Sequence, residues 1–423
     1  MQSLTAVDAL LDVLDGADLS DVAIYCDSTK ARDLSRDWFH ALDTLFADND
    51  FYDRPVKKAH GIVWKAIRDF YDEPTVQYLY APAKRVLSRL QVHGYSRNKC
   101  IAIWETEFQS SVSYGEENNQ RNDGELEEHL SFLKGLTFDD WAKWERANKS
   151  SRCPHWGSLR LLTFSDPYVE LAIQIEVHGS KAVWADLSGI YSDEFDPALS
   201  LHENLSRAPA DLGLNVVEPV GNVLILTEGP SDTRILSAAI AAMYPEFSDI
   251  FSFVDFKEFK VDGGASPLTK TVRAFAGARM MQRILALFDN DAAGHEQKQL
   301  LDRTKLPANI KAMVLPDLPF ARRYPTIGPE GLRDLDINGT ACAIEMFLGQ
   351  TALSDEHGEL RPVRWANWNK NAGRYHGGLE DKGAVARHFL EAVSASSAPS
   401  QLKRRFKDMD RLLKTIFCAF DPV

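Results

Sequence analysis

Two short acidic stretches contain the residues of this chain that could carry out chemistry. Glu228 and Asp232 lie in the segment Glu-Gly-Pro-Ser-Asp, and Asp289 and Asp291 lie in the segment Asp-Asn-Asp-Ala-Ala-Gly. Oxygen ligands of this kind suit Mg²⁺ or Mn²⁺. Carboxylates brought together repel one another unless a cation joins them. These residue types therefore predict a divalent-metal site.

Each acidic stretch follows a pattern typical of a buried strand and precedes a helical pattern. The apolar runs Val223–Leu226 and Ile284–Phe288 favour parallel strands that are covered on both faces. Helical patterns follow at residues 233–243 and 292–304, and alternation of strand and helix predicts an α/β fold. Carboxylates at the ends of such strands lie where open α/β sheets place their sites.

At these positions the chain resembles the Toprim family, the metal-dependent core of type IA and type II topoisomerases, bacterial primases and OLD-type nucleases. That family carries a glutamate after its first strand and Asp-x-Asp after a later one, which correspond to Glu228, Asp289 and Asp291. The resemblance implies that Glu228 is the general acid or base and that the aspartates bind metal, with Asp232 beside them. The alternative is a pair of polar turns, with Ser231 and Asp232 capping a helix.

The resemblance also points to two residues further along the chain. In OLD-like Toprim nucleases a glutamate on a helix after the Asp-x-Asp strand can join the metal site, and a later lysine can assist it. Glu345, on a predicted capped helix over residues 336–348, and Lys382 occupy comparable places. Without the resemblance, each would be an ordinary surface charge.

Glycines and basic residues outside the acidic stretches are candidates for binding phosphate groups. Gly263 and Gly264 would allow close approach of the backbone to a phosphate, or simply form a tight turn. Lys270 follows them on a predicted helix. Arg404 and Arg405 lie on a basic amphipathic helix near the C-terminus, for which a solvated face on a packing helix is the alternative.

Composition excludes several classes of protein. The chain has 423 residues, which predicts two or three domains. No apolar run reaches the roughly 18 residues of a membrane span. The five cysteines are scattered and fit neither a disulfide framework nor a zinc cluster, so we expect a reducing cytoplasm. A net charge of −13 argues against nonspecific coating of nucleic acid but allows a local basic groove.

The N-terminal half has a different pattern from the acidic core. Residues 1–95 show mainly helical spacing, and a β-hairpin is predicted across residues 178–181. The segments Leu90-Gln-Val-His-Gly-Tyr95 and Leu136-Thr-Phe-Asp-Asp-Trp141, with that hairpin, resemble the HEPN/Toprim N-terminal domain of bacterial proteins. We therefore expect an α-rich α+β domain over residues 1–215.

The same resemblance raises a question about ribonuclease activity. HEPN ribonucleases carry an arginine and, a few residues later, a histidine, and Arg54 and His60 fit that spacing, although a proline follows the arginine directly. So short a motif arises often by chance. A scaffold or partner-binding domain is the other interpretation of this half.

Three domains follow from these patterns: the N-terminal domain, a Rossmann-like Toprim core over residues 220–350 and a helical C-terminal region over 351–423. The Toprim resemblance implies a Mg²⁺-dependent (or Mn²⁺-dependent) endonuclease that acts on DNA, or alternatively on RNA, in a bacterial antiviral defence module. The resemblance also implies a partner ATPase or sensor, and self-association is a further expectation. No Gly-x4-Gly-Lys-Ser/Thr motif marks an ATP site within the chain. The alternatives are a regulatory module that binds metal and nucleotide without cleavage, and a tRNA-cleaving toxin.

Overall fold

The computed structural model divides the chain into two compact units. One comprises Met1–Val220 with Asp421–Val423, and the other comprises Gly221–Phe420. The structure describes residues 22–27, 29–34, 40–68, 75–117, 131, 134, 136–147, 166–187, 222–254, 256, 260–369, 374–395 and 398–420. Among these segments, no helix is both long enough and apolar enough to cross a membrane.

The first unit is built on a five-stranded antiparallel sheet with the order β2-β1-β5-β4-β3. Its strands are β1 (Val22–Cys26), β2 (Thr29–Leu34), β3 (Phe51–Pro55), β4 (Thr75–Pro82) and β5 (Ala182–Asp186). Its helices are α1 (His40–Leu45), α2 (Gly61–Ile67), α3 (Ala83–Val92), α4 (Arg97–Glu117), α5 (Phe138–Ala147) and α6 (Pro167–His178), with 3₁₀ turns at Asp48–Asp50 and Val56–Lys58.

Apolar side chains cover both faces of this sheet. The larger core joins the sheet to helices α3 to α6, and Trp104 and Tyr168 are fully buried in it. A smaller core packs Val63 and Ile67 of α2 against Tyr78 and Trp184 on the other face. Strands covered on both faces lose a clear apolar–polar alternation. The mainly helical prediction for residues 1–95 was wrong at β1 to β4, and at β4 burial on both faces is the reason.

The predicted hairpin across residues 178–181 is wrong in its first arm. Residues 167–178 form helix α6, which begins where the Asp166 side chain accepts a hydrogen bond from the main-chain N–H of Tyr168 (2.9 Å). It ends at Gly179, whose φ of +60° is a conformation that glycine adopts without strain. Because α6 is apolar on nearly every side, its run of β-branched residues was mistaken for a strand. The second predicted arm, residues 182–190, does contain a strand, β5 (Ala182–Asp186). A further β-rich run predicted at residues 159–164 lies outside the described residues.

The second unit contains all of the acidic candidate residues. Its strands are β6 (Val223–Leu226), β7 (Phe251–Phe253), β8 (Ile284–Phe288), β9 (Asn290–Asp291), β10 (Ile310–Val314), β11 (Tyr324–Gly328), β12 (Gly331–Leu335), β13 (Ala341–Cys342), β14 (Val363–Asn369) and β15 (Arg374–Leu379). Its helices are α7 (Pro230–Met243), α8 (Ala265–Gly277), α9 (Ala292–Asp302), α10 (Gln350–Leu353), α11 (Lys382–Ala395), α12 (Pro399–Arg405) and α13 (Lys407–Phe417), with 3₁₀ turns at Pro245–Phe247, Pro319–Arg323 and Ile344–Leu348.

A four-stranded parallel sheet forms the centre of this unit, which confirms the predicted mixed α/β character. Its order is β10-β8-β6-β7, and all of its neighbouring strands are parallel. The chain passes from β6 to β7 on one side and then crosses to β8 on the other side of β6. The gap between the carboxyl ends of β6 and β8 is therefore a switch point, the position at which open α/β sheets bind their ligands.

We expected the region after residue 350 to be helical, but only part of it is. Residues 363–369 and 374–379 form an antiparallel hairpin, β14–β15, in the second sheet of order β12-β11-β14-β15. Aromatic residues and a polar alternation in this stretch favour strands once a neighbouring strand is available for pairing. Helices α11 to α13 follow, and the predicted basic amphipathic helix is divided between α12 and α13 at Phe406.

Candidate acidic site

Glu228 and Asp289 lie at the ends of the two neighbouring central strands. Each follows its strand because a buried apolar run cannot continue through a carboxylate. The main-chain N–H of Asp289 donates a hydrogen bond to Oε1 of Glu228 at 2.9 Å. The predicted pair therefore meets at the switch point between β6 and β8.

Asp291 and Gly294 determine the backbone path that follows β8. The side chain of Asp291 caps helix α9 by accepting a hydrogen bond from the main-chain N–H of Gly294 at 2.7 Å. A Cβ atom at Gly294 would lie only 2.1 Å from the carbonyl oxygen of Asp289. The glycine of the Asp-x-Asp-x-x-Gly segment is therefore required by this close approach of helix and strand end.

Asp232 lies in the first turn of α7, where it accepts a hydrogen bond from the Ser231 hydroxyl at 3.1 Å. The expectation that Ser231 caps this helix was wrong. The N-cap is Gly229, and Pro230 occupies the first helical position. Proline suits that position because its missing N–H would have no helical partner there.

Glu345 and Lys382 approach the same region from later segments. Glu345 lies in the 3₁₀ turn Ile344–Leu348 and is only 4% exposed. The predicted helix over residues 336–348 does not form, because Ala341 and Cys342 pair with β9 instead. Lys382 is the first residue of α11, and its Nζ lies 3.6 Å from Oε2 of Glu345.

Five carboxylates lie close together, and their charges raise the pKa of three of them: Glu228, Asp232 and Asp289. We call the whole group, with Asp291 and Glu345, the acidic cluster. Burial, with repulsion from Asp291 and Asp232, raises the pKa of Glu228 to about 7, although the Asp289 N–H acts in the opposite direction. Burial and the Glu345 charge raise the pKa of Asp232 to about 6.

The negative charges of the acidic cluster raise the pKa values of both Asp289 and Lys382. Burial, followed by the charges of Glu228 and Asp232, raises the pKa of Asp289 well above its ordinary value. Burial tends to lower the pKa of Lys382, but the neighbouring carboxylates, with Glu345 first, raise it on balance. The cluster thus holds more negative charge than its single lysine offsets.

The carboxylate oxygens of the acidic cluster are ligands that suit a hard divalent cation, although they are not arranged as a coordination shell. Among the described residues, no group of three or more His, Cys, Asp and Glu side chains is arranged to hold a metal ion as it stands. Oε2 of Glu345 is nevertheless buried without a hydrogen-bond partner. A buried carboxylate oxygen without a donor costs free energy that a cation could offset. The residues fit Mg²⁺ or Mn²⁺ after side-chain rotation.

His376 was not identified by the sequence patterns. It lies on β15, and its Nδ1 is 3.6 Å from Oδ2 of Asp291. Nothing in the local sequence signals this position, because it depends on the placement of the β14–β15 hairpin beside β9 and α9. His376 is thus a neighbour of the acidic cluster on the side of Asp291.

The predicted phosphate-binding residues divide into two groups. Gly263 and Gly264 lie beside the cluster: the N–H of Gly264 donates to the carbonyl oxygen of Glu228 at 2.6 Å. Lys270 is exposed on α8, and Arg404 and Arg405 lie on α12. Within the described part of the chain, no contact joins these three cations to the acidic cluster.

Arg54 and His60, the candidate ribonuclease pair, are neighbours in an aromatic group of the first unit. The His60 ring stacks on Tyr80 with 3.8 Å between centroids, and its Nδ1 lies 2.8 Å from the Tyr78 hydroxyl. The Arg54 guanidinium lies 4.4 Å from the Tyr52 ring centroid. Burial, followed by the Arg54 charge, lowers the pKa of His60.

Comparisons with known proteins bear on the first unit. A search of curated proteins and a search of solved structures returned no match to this chain. Residues 35–197 match the family model described as HEPN/Toprim N-terminal domain 1. This match confirms the resemblance expected for the N-terminal half and relates that part of the chain to a nuclease-associated domain family.

Proposed function

We propose that the second unit is an OLD-like Toprim endonuclease core that cleaves phosphodiester bonds in DNA with Mg²⁺ or Mn²⁺. The observation that carries this proposal is the hydrogen bond between Glu228 and the main chain of Asp289 at the switch point of a parallel sheet. Acidic residues from two adjacent strand ends meet there and are largely buried. The match of residues 35–197 to a nuclease-associated domain supports the same conclusion.

The residues of the cluster have separate roles in this proposal. Asp289 and Asp291, with Asp232 and Glu345, would hold the divalent ion. When bound, such an ion neutralises charge on the phosphate and lowers the pKa of an attacking water. Glu228, with a pKa of about 7, can accept or donate a proton near neutral pH. Lys382 offsets the charge of Glu345 and can contact a phosphate oxygen.

The wider setting of the activity is part of the proposal. The chain would act in bacterial antiviral defence, with the first unit as a scaffold or a binding site for a partner ATPase or sensor. The nuclease-associated family of residues 35–197 supports a role in which a cleaving unit is joined to a recognition unit. Control by a partner would prevent the nuclease from damaging the cell's own DNA.

A plasmid-cleavage assay tests the proposed activity. Purified full-length protein is incubated with supercoiled plasmid in Mg²⁺, Mn²⁺ or EDTA, and a parallel series uses a transcript of the same sequence. We expect plasmid nicking or linearisation with either metal and none in EDTA. Asp289→Asn should reduce the rate at least about 100-fold, since removing a key electrostatic group typically costs this much.

A matched variant separates the site from general effects of charge. Asp302→Asn removes an exposed carboxylate at the end of α9, where Asp302 pairs with Lys298. It should leave the plasmid-cleavage rate within about twofold, since exposed ion pairs contribute little. If the plasmid stays intact under every condition, and if Asp289→Asn also binds Mg²⁺ as the parent does, the endonuclease proposal fails. Metal-dependent binding of nucleotide without cleavage would instead favour the regulatory module.

A further inference from the structure

Two large aromatic side chains are exposed on the hairpin β14–β15. Trp368 is 52% exposed and Tyr375 is 53% exposed. Their rings form an edge-to-face pair with 4.9 Å between centroids. Cross-strand aromatic pairs stabilise hairpins, but such large rings are usually covered when stability is their only role.

A β-bulge and a glycine place these rings on one face of the hairpin. The register of β14 against β15 shifts between Trp365 and Asn367, so that Trp365 lies opposite Gly377 and Trp368 opposite Tyr375. A Cβ atom at Gly377 would lie 2.8 Å from the Trp365 ring, which therefore rests directly on the glycine. The Trp365 ring is thus held in place beside the exposed pair, and its centroid is 6.3 Å from that of the Tyr375 ring.

The same hairpin lies next to the acidic cluster. His376, the neighbour of Tyr375, contacts Asp291, and Lys382, just after β15, contacts Glu345. Successive side chains of a strand point to opposite faces. The aromatic pair therefore lies on the face of the edge strand β15 opposite to that of His376, and Tyr375 is the chain neighbour of His376. Arg364, which is 60% exposed, lies on the face that carries His376 and is paired there with Glu380.

We propose that Trp368 and Tyr375 form a stacking site for unpaired bases of single-stranded DNA, next to the phosphate that would occupy the acidic cluster. This inference rests on the proposed nuclease function and adds the form of its substrate. Aromatic rings stack on any base, since every base has a π-face. A base within an intact duplex is already stacked and cannot use such a site.

Binding in EDTA, where cleavage is not expected, tests the stacking site directly. Fluorescence anisotropy of a labelled oligo-dT strand is measured with the full-length protein and with Trp368→Ala, Trp368→Phe and Tyr375→Ala. We expect Trp368→Ala to weaken binding roughly ten- to hundredfold, as is typical for the loss of a base-stacking ring. Trp368→Phe keeps a ring and should recover most of the affinity. Leu332→Ala, which removes a 68% exposed aliphatic side chain from β12, is the matched control and should change little.

The remaining measurements decide between the outcomes. A blunt duplex should bind Trp368→Ala and the parent equally, and an RNA strand should bind no more tightly than DNA. Three results would overturn the inference. Trp368→Ala could bind oligo-dT as tightly as the parent does, it could lose as much affinity for the duplex as for oligo-dT, or the protein could bind RNA more tightly than DNA. If Trp368→Ala weakens binding but no DNA is cut in Mg²⁺, the endonuclease proposal fails and the stacking site remains. If DNA is cut and the Trp368 variants bind normally, only the stacking site is lost.

Discussion

The main-chain N–H of Asp289 and Oε1 of Glu228 are joined by a hydrogen bond of 2.9 Å, which ties the end of β8 to the end of β6. The bond favours the ionised form of Glu228, yet burial and neighbouring charges outweigh it and bring the pKa to about 7. Glu228 is therefore both held in position and able to change its protonation near neutral pH.

Glu228→Gln should slow DNA cleavage by about 100- to 10,000-fold, the range expected when a general acid or base is removed. Glutamine keeps an oxygen that can accept the Asp289 N–H, so the strand ends should stay joined. The measurement is the initial rate from about pH 5.5 to about pH 9, in which the limb near pH 7 should disappear. Glu330→Gln, at an exposed turn, is the control. An unchanged pH profile would exclude Glu228 as the titrating group.

The metal-free protein should lose stability as the pH rises toward neutrality. Raised pKa values mean that the folded state holds protons which the unfolded state releases, so this stability is fully present below about pH 4. It is lost as the pH rises through about 6 for Asp232 and about 7 for Glu228. The loss is on the order of 3 kcal/mol for each of the two groups, since each pKa unit corresponds to about 1.4 kcal/mol.

Thermal unfolding in EDTA at several pH values checks this expectation. The double variant Glu228→Gln/Asp232→Asn should show a smaller fall in Tm than the parent. Mg²⁺ should raise the Tm of the parent more at higher pH, because metal binding requires deprotonated carboxylates. A Tm that rises between about pH 5 and about pH 8 in EDTA, equally in both proteins, would contradict the assignment.

Lys382→Met should destabilise the second unit by about 1–3 kcal/mol at neutral pH. The variant leaves Glu345, whose side chain is 5% exposed, without its cation, while the 44% exposure of Lys382 moderates the cost. Adding Glu345→Gln should recover part of the loss, which urea unfolding of the two single variants and the double variant would measure. Lys298→Met, which breaks the surface pair with Asp302, should cost less than about 1 kcal/mol. Additive effects of Lys382→Met and Glu345→Gln would show that the two side chains do not interact.

Gly294→Ala should destabilise the second unit by about 1–3 kcal/mol or more and should reduce DNA cleavage with it. The added Cβ would lie 2.1 Å from the Asp289 carbonyl oxygen, so the strand end or helix α9 must shift. Gly277→Ala on α8 is the matched control, because its Cβ meets nothing within 4 Å. That variant should be neutral or more stable by about 0.4–1 kcal/mol. Equal Tm values for the two variants would show that this close approach is absent.

The Arg54–His60 pair should not cleave RNA. The His60 ring stacks on Tyr80 and its Nδ1 lies at hydrogen-bond distance from the Tyr78 hydroxyl. These contacts favour a packing role for His60 over proton exchange with a substrate. We expect a tRNA pool to stay intact in EDTA, and His60→Ala to lower the Tm of the protein. Cleavage of tRNA that persists in EDTA and disappears in His60→Ala would establish the first unit as a ribonuclease instead.

The central strands and the residues that follow them could be predicted because a continuous apolar run requires cover on both faces. This constraint identified β8 as Ile284–Phe288 and placed Glu228 and Asp289 at adjacent strand ends. By contrast, α6 was predicted as a strand, since a helix buried on nearly all sides has no polar face to reveal its period.

Local apolar runs and the cost of burying charge were enough to predict that Glu228, Asp289 and Asp291 end buried strands. The contacts of Lys382 with Glu345 and of His376 with Asp291 depend instead on how the folded chain brings distant segments together. Those pairs come from segments distant in the chain, and they meet because the β14–β15 hairpin and the pairing of β13 with β9 bring their backbones together. No local pattern of residues encodes such a meeting.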